Sequence, residues 1–285
     1  MSTKIITDSA SDLIEKIRDD FDIDIMPIVV TQGSNLYLDG VNINNDKLYK
    51  DMRSGVVYKT AALSPIDYER KFREVLDTYD RAIYIALSSG LSSTYQNALL
   101  AKKSLCLDDD KLIIIDSRGA SMGEGMLVYF IAKHINDEMS AEEICAYAQK
   151  LRDMTEYVFY VDTLEYLKRG GRVSKLQAAI GGLINLKVIL TIKNDGKIYP
   201  EEKIRGEIKA MKKAIKNFKD RLGTDIYEDT IFISHADVLS RAEDTLKLMQ
   251  EAFPGKKVFI SEISATIGAH SGPGTIAFFA IKNFA

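Results

Sequence analysis

Ala82-Ile-Tyr-Ile-Ala-Leu-Ser-Ser-Gly-Leu-Ser-Ser-Thr-Tyr-Gln-Asn-Ala98 joins an apolar run to a hydroxyl-rich turn and then to a helical pattern. Ala82–Leu87 reads as a buried strand. Ser88, Ser89, Ser92, Ser93 and Thr94 crowd the turn, and Leu91, Tyr95, Ala98 and Leu99 follow at helical spacing. Strand, turn and helix start form the repeating unit of an α/β protein. A helix start also offers unpaired N–H groups and a positive dipole end to an anion. The same residues equally suit a capped helix with an ordinary polar turn. The surrounding chain decides between the two.

On the N-terminal side, Lys4-Ile-Ile-Thr-Asp8 reads as a buried strand, and so does Lys111-Leu-Ile-Ile-Ile-Asp-Ser117 on the other. Asp8-Ser9, Ser88-Ser89 and Asp116-Ser117 thus stand at three strand ends, where ligands bind in open α/β sheets. Asp8 suits a ligand or metal position there. The alternative is a cap cluster, with Ser9 or Ser11 capping a helix that carries Leu13, Ile14 and Ile17. Asp24–Val30 reads as one further strand, and Asn35–Gly40 as a hairpin turning on Asp39-Gly40. Ser64-Pro65 is an N-cap followed by proline at the first helical position, which leaves the Thr60 hydroxyl free. Ser140-x-x-Glu143 has the capping-box pattern. Strands alternate with helices, which predicts a mostly parallel sheet flanked by helices over residues 1–153.

The pattern changes near Met154. Glu156–Val161, a hairpin of Lys187–Ile192 with Lys197–Pro200 on Asn194-Asp-Gly196, and strands at Thr230–His235, Lys257–Ile263 and Thr275–Ile281 predict a mixed sheet with helices over residues 154–285. Ile204–Leu222 reads as a basic amphipathic helix with Ile204, Ile208, Met211, Ile215, Phe218 and Leu222 as its apolar stripe. Its lysines suit a solvated face, or a partner or lipid surface. The glycine pair Gly170-Gly171 lets Arg172 reach away from its own helix. Gly268-Ala-His-Ser-Gly-Pro-Gly274 reads as a glycine-rich loop, an unusual setting for the packing of a histidine.

Composition narrows the function classes. A net charge of −3 argues against nucleic acid as a partner. No run of about 18 apolar residues exists, and Met1–Asp8 lacks a secretory core. The two cysteines, Cys106 and Cys145, have no metal or disulfide spacing and suit a reducing cytoplasm. Three histidines exclude most histidine-based metal sites. No Walker loop is present, so no nucleotide site of that kind is expected. What remains is Thr60, Ser92, Ser93, Thr94, Arg172 and His270, an inventory suited to holding a carboxylate or phosphate. A serine nucleophile would need an elbow of the Gly-x-Ser-x-Gly type or an acid that orients the histidine, and Ser89-Gly90 and Ser92-Ser93 form no such elbow.

Six stretches, in order, resemble the DegV family. They are Thr7-Asp-Ser9, Thr60-Ala-Ala-Leu-Ser64-Pro65, Ser88-Ser-Gly-Leu-Ser-Ser-Thr-Tyr-Gln96, Leu167-Lys-Arg-Gly-Gly-Arg-Val-Ser-Lys175, Ile180-Gly-Gly-Leu-Ile-Asn-Leu-Lys187 and Gly268–Gly274. The resemblance covers nearly the whole chain. It implies two α/β domains, 1–153 and 154–285, with a long-chain fatty acid between them. It implies a cytoplasmic carrier that presents the carboxylate to a separate ATP-dependent fatty acid kinase subunit, which makes acyl phosphate for phospholipid synthesis. On this reading the chain itself has no catalytic residue, metal or cofactor, and touches the membrane at most transiently. Thr60, Ser92 and Ser93 carry over to the carboxylate, and Arg172 and His270 complete the polar end. The chain departs from the family pattern at Ala61, where a serine is usual, at Ser93, where glycine is usual, and at Val188, where proline is frequent. Ala178, Ile180, Leu183, Ile184, Phe278 and Phe279 are candidate linings for the tail. A sixteen-carbon tail would gain roughly 10 kcal/mol before ordering costs, at about 0.8 kcal/mol per buried methylene. The alternative reading is a stand-alone acyl or phosphate hydrolase using Ser92 and His270.

Overall fold

The computed structural model describes residues 2–173 and 186–284. In chain order the strands are β1 (Thr3–Asp8), β2 (Asp24–Met26), β3 (Val29–Gln32), β4 (Asn35–Leu38), β5 (Lys59–Ala61), β6 (Arg81–Ala86), β7 (Leu112–Asp116), β8 (Thr155–Val161), β9 (Leu186–Ile192), β10 (Ile198–Arg205), β11 (Ile226–His235), β12 (Lys257–Glu262) and β13 (Ile276–Lys282). The helices are α1 (Glu15–Asp20), α2 (Asn45–Arg53), α3 (Pro65–Leu76), α4 (Thr94–Ser104), α5 (Met122–His134), α6 (Ala141–Asp153), α7 (Glu165–Arg169), α8 (Glu207–Leu222), α9 (Leu239–Ala252) and α10 (Ala265–Ser271). A parallel sheet has the order β2-β1-β6-β7, and a mixed sheet has the order β10-β9-β8-β13-β11-β12. A small antiparallel sheet, β4-β3-β5, covers one end. The chain is an α/β protein with one parallel and one mixed sheet, each packed with helices.

Strand alternation sets the layers. On β6, Ala82, Tyr84 and Ala86 pack with Tyr68 and Phe72 of α3 and Ala98 of α4. Ile83 and Ile85 point the other way, toward α5. On β13, Ala277, Phe279 and Ile281 join that same central cluster, whereas Phe278 and Ala280 pack with Met211, Ile215 and Phe218 of α8. Helix α5 lies between the two sheets and is buried from Met122 to Val128. A helix buried all round needs apolar residues all round, which is how Met126, Leu127, Val128, Phe130 and Ile131 read.

The structure corrects several expectations. Asp24–Val30 is two strands, because Pro27 has no N–H for a ladder. β2 joins the parallel sheet and β3 the antiparallel one. The hairpin turns on Gly33-Ser34, since Gln32 pairs with Asn35. Neither Ser9 nor Ser11 caps α1. Ser9 Oγ accepts from Ile28 N at 3.0 Å, and Ser11 Oγ donates to Asp8 O at 2.8 Å. Leu13 and Ile14 precede α1 rather than lying in it. Ile204 belongs to β10, and Ile208 is solvent-exposed on α8. His270 is on helix α10, not in a loop.

That short helix is held from a distance. Its cap residue Ser264 makes no side-chain capping bond. The Asp39 carboxylate accepts from Ala265 N at 3.2 Å and Thr266 N at 3.0 Å, and Asp12 accepts from Ser264 N at 2.9 Å. Tyr49 on α2 donates its hydroxyl to Ile263 O at 2.8 Å. Asp39→Ala strands two buried N–H groups. We expect a loss of about 1–3 kcal/mol, read as a lower urea midpoint at unchanged m-value; an unchanged midpoint would remove Asp39 as the anchor of α10.

Candidate functional site

A cavity opens between the parallel and mixed sheets. It holds about 910 Å³ counting the open solvent at its mouth. Its apolar walls come from Leu87, Phe159 on β8, Ile192 on β9, Ile198 on β10, and Ala277 and Phe279 on β13. One end is polar. Thr60, Ser92, Ser93, Arg172 and His270 all line this one cavity, although they come from four separate places in the chain.

The polar end is built by close approaches. His270 Nε2 lies 2.7 Å from Thr60 Oγ1. Nδ1 is buried and has no hydrogen-bond partner among the described residues. It rests against Gly170, where an added Cβ would come within 2.1 Å of it. Gly170 is thus required at the end of α7 for the imidazole to fit, and Gly171, at φ +71°, reverses the chain. Arg172 then donates from Nε to Leu91 O at 3.2 Å and from a terminal nitrogen to Gly170 O. Burial holds the guanidinium below its ordinary value, and among the described residues it pairs with no carboxylate. Burial, then the charge of Arg172, pushes His270 down to about 4. The imidazole is therefore neutral at pH 7.

The serine loop divides into two groups. Ser88 Oγ donates to Gly196 O at 2.8 Å and Ser89 Oγ to Asp116 at 2.6 Å, so both brace the loop. Asp8 also braces it, accepting from Leu87 N and the Tyr84 hydroxyl, each at 3.0 Å. Asp8 and Asp116 are thereby committed to internal bonds, and no cluster of metal-ligating side chains occurs among the described residues. Ser92 and Ser93 face the cavity. Ser92 Oγ shares a 2.8 Å bond with the Thr94 hydroxyl, and Ser93 is the exposed cap of α4 with no side-chain capping bond.

Of the six tail positions read from the sequence, Phe279 lines the cavity. Phe278 does not, because alternation turns it into the α8 side of the sheet. Ala178, Ile180, Leu183 and Ile184 lie outside the described residues. Leu167, Ile263 and Ile267 are wall residues that the sequence reading missed. Ile267 lies on α10 whereas Ile263 precedes its cap residue Ser264, so no single period joins them. No described helix is long and apolar enough to cross a membrane.

The family model described as "Uncharacterised protein, DegV family COG1307" matches residues 2–283. A DegV domain-containing protein of Clostridium perfringens is 32% identical over 279 residues, covering 96% of each chain. One from Streptococcus pyogenes serotype M1 is 33% identical, covering 99% of this chain and 98% of the relative. Among solved structures, a DegV family protein from Thermus thermophilus, described for fatty acid binding, superposes with a TM-score of 0.89 at 30% identity. It covers 99% of this chain and 100% of that one. DegV of Bacillus subtilis, described as a fatty acid binding protein, gives 0.85 at 25% identity over 99% and 100% of the two chains.

The histidine supplies a test that needs no ligand. Its folded value of about 4 lies below the 6.5 of an ordinary imidazole. Between those values the unfolded chain takes up a proton and the folded chain does not. The stability from neutral His270 is thus fully present above pH 6.5 and is lost as pH falls toward 4. Asp12 acts in the opposite sense, because burial raises its carboxyl to about 7. The imidazole resonances of His270 are expected to titrate near pH 4. A midpoint near 6.5 would show that burial and Arg172 do not govern it.

Proposed function

The chain belongs to the DegV family, and from that premise we propose that it binds a long-chain fatty acid in the inter-sheet cavity. One observation carries the reading: a half-buried Arg172 guanidinium, with no carboxylate partner among the described residues, stands with three hydroxyls at the polar end of an otherwise apolar slot. A buried cation without an anion is costly, and a carboxylate relieves it. The fatty acid binding described for the Thermus thermophilus and Bacillus subtilis relatives supports the same ligand class. Residues 1–153 and 154–285 are its two halves.

The head-group chemistry follows from the proton positions. His270 is neutral, and its Nδ1 has no hydrogen-bond partner among the described residues. Placing the proton on Nε2 leaves Nδ1 a bare lone pair instead of a stranded donor. Nε2–H then donates to Thr60 Oγ1, and the Thr60 hydroxyl is turned to donate to the carboxylate. Ser92 and Ser93 add donors, and Arg172 supplies the charge. A hydrolase would need Ser92 activated by His270. Instead Thr94 holds the Ser92 hydroxyl and Thr60 engages the imidazole.

The reading extends to a partner. A separate ATP-dependent kinase subunit brings its nucleotide to the bound carboxylate. A carboxylate oxygen forms a bond to the terminal phosphorus, the bond from that phosphorus to the bridging oxygen breaks, and ADP leaves. The product is an acyl phosphate for phospholipid synthesis. The protein works in the cytoplasm, takes no nucleic acid and meets the membrane at most transiently.

Denaturing mass spectrometry of the purified protein is expected to release an acyl chain. No acyl chain after bacterial expression, and none taken up on incubation, would sink the proposal. Arg172→Ala is expected to lower acyl-phosphate formation with the partner by about 10²-fold or more, the scale of losing one charge-stabilising donor, and to weaken lipid binding far less. Equal losses would make Arg172 a carboxylate grip alone.

A further inference from the structure

Beyond the carboxylate end, the cavity continues into a depression on the surface. The two spaces share Leu91, Ser92, Ser93 and Arg172, and the outer one adds Gln96 and Lys197. Lys197 is placed there by a tight junction between the halves of the chain. The turn of the β9–β10 hairpin docks on the serine loop, where Ser88 Oγ donates to Gly196 O at 2.8 Å. Gly90 lies so close to that turn that an added Cβ would sit 2.7 Å from backbone atoms of Asp195 and Gly196. The next residue after the turn is Lys197, on the rim.

The charge at this rim exceeds what a carboxylate needs. Arg172 has no anionic partner among the described residues, and Lys197 forms no ion pair there either. Asp195 is a carboxylate that feels the charge of Lys197. It accepts from the Tyr199 hydroxyl at 2.7 Å and from Lys197 N at 3.1 Å, so it is held in its own turn. Ser93 leaves its hydroxyl exposed beside them. A fatty acid brings one negative charge on two oxygens. A phosphoryl group brings up to two charges on three oxygens and needs space outside the carboxylate position. The depression supplies the space and a second cation.

We propose that the depression outside Ser92 receives the phosphoryl group on an acyl head, and that Lys197 is the residue favouring a phosphorylated head over a carboxylate. The inference rests on the fatty-acid reading and deepens it, because Lys197 has no part in holding the carboxylate.

The test compares hexadecanoate with hexadecyl phosphate, titrated calorimetrically into the full chain at neutral pH and fixed ionic strength. Both are expected to bind. Lys197→Ala is expected to weaken hexadecyl phosphate about tenfold, to leave hexadecanoate within about twofold, and to be rescued by Lys197→Arg. Equal effects on both ligands, no effect on either, or failure of hexadecyl phosphate where hexadecanoate binds would overturn the proposal. Failure of hexadecanoate itself on the folded protein would instead strike the fatty-acid reading, and this inference with it. Salt titration separates a bound head group from free phosphate: inorganic phosphate competing as well as hexadecyl phosphate would show that no acyl chain is involved.

Discussion

Two carboxylates from the first forty residues hold the helix that carries His270. α10 has seven residues, too few to persist by its own hydrogen bonds. Asp12 and Asp39 take the N–H groups of Ser264, Ala265 and Thr266, and the Asp39 carboxylate suits the positive end of the helix. Asp12 is itself constrained. It sits at φ +49° and accepts from the Ser121 hydroxyl, whose own backbone is at φ +56°. Both conformations are disfavoured for residues with a Cβ, and their mutual bond with the α10 contact holds them there. The position of His270 against Thr60 thus depends on residues more than two hundred positions away.

The serine loop shows a comparable division of labour. Ser88, Ser89, Asp8 and Asp116 have their polar atoms turned into the frame. This fixes the backbone, so Ser92 and Ser93 arrive at the cavity without having to organise the turn themselves. The cavity exists because the facing residues are small where the layers meet: Ala62, Ala120 and Ala277 stand among larger neighbours. Close packing elsewhere in the central cluster keeps the slot from collapsing.

Legibility followed the range of the interactions involved. β1, β6 and β7 could be read because their apolar runs end in polar clusters, and α3 and α6 because Ser64 and Ser140 form complete capping boxes within four residues. Five polar candidates drawn from motif stretches line one cavity. α10 could not be read, since its caps are remote and Gly268 weakens the helical pattern. Asp39-Gly40 does form a turn, with Val41 N donating to Leu38 O at 3.0 Å, but it is not the turn of the hairpin, and the partners of its carboxylate lie 226 and 227 residues away. Phe278 and Phe279 are alike in composition, and only the sheet register decides which one meets the cavity.

The electrostatics of the polar end are consistent with a single incoming charge. Were His270 protonated, two cations would share a half-buried space, and the repulsion from Arg172 helps to prevent that. The neutral imidazole contributes orientation through Thr60, while Arg172 alone contributes charge. A carboxylate entering this site meets one fixed cation and several hydroxyl donors, which is the pairing that keeps a buried anion ionised. Ala61 is exposed on β5 and does not line the cavity, whereas Thr60 and Ala62 do. Ser92 and Ser93 stand at the start of α4, the side on which the depression opens. A head group held from that side keeps one face toward the depression, where a second reactant can reach it.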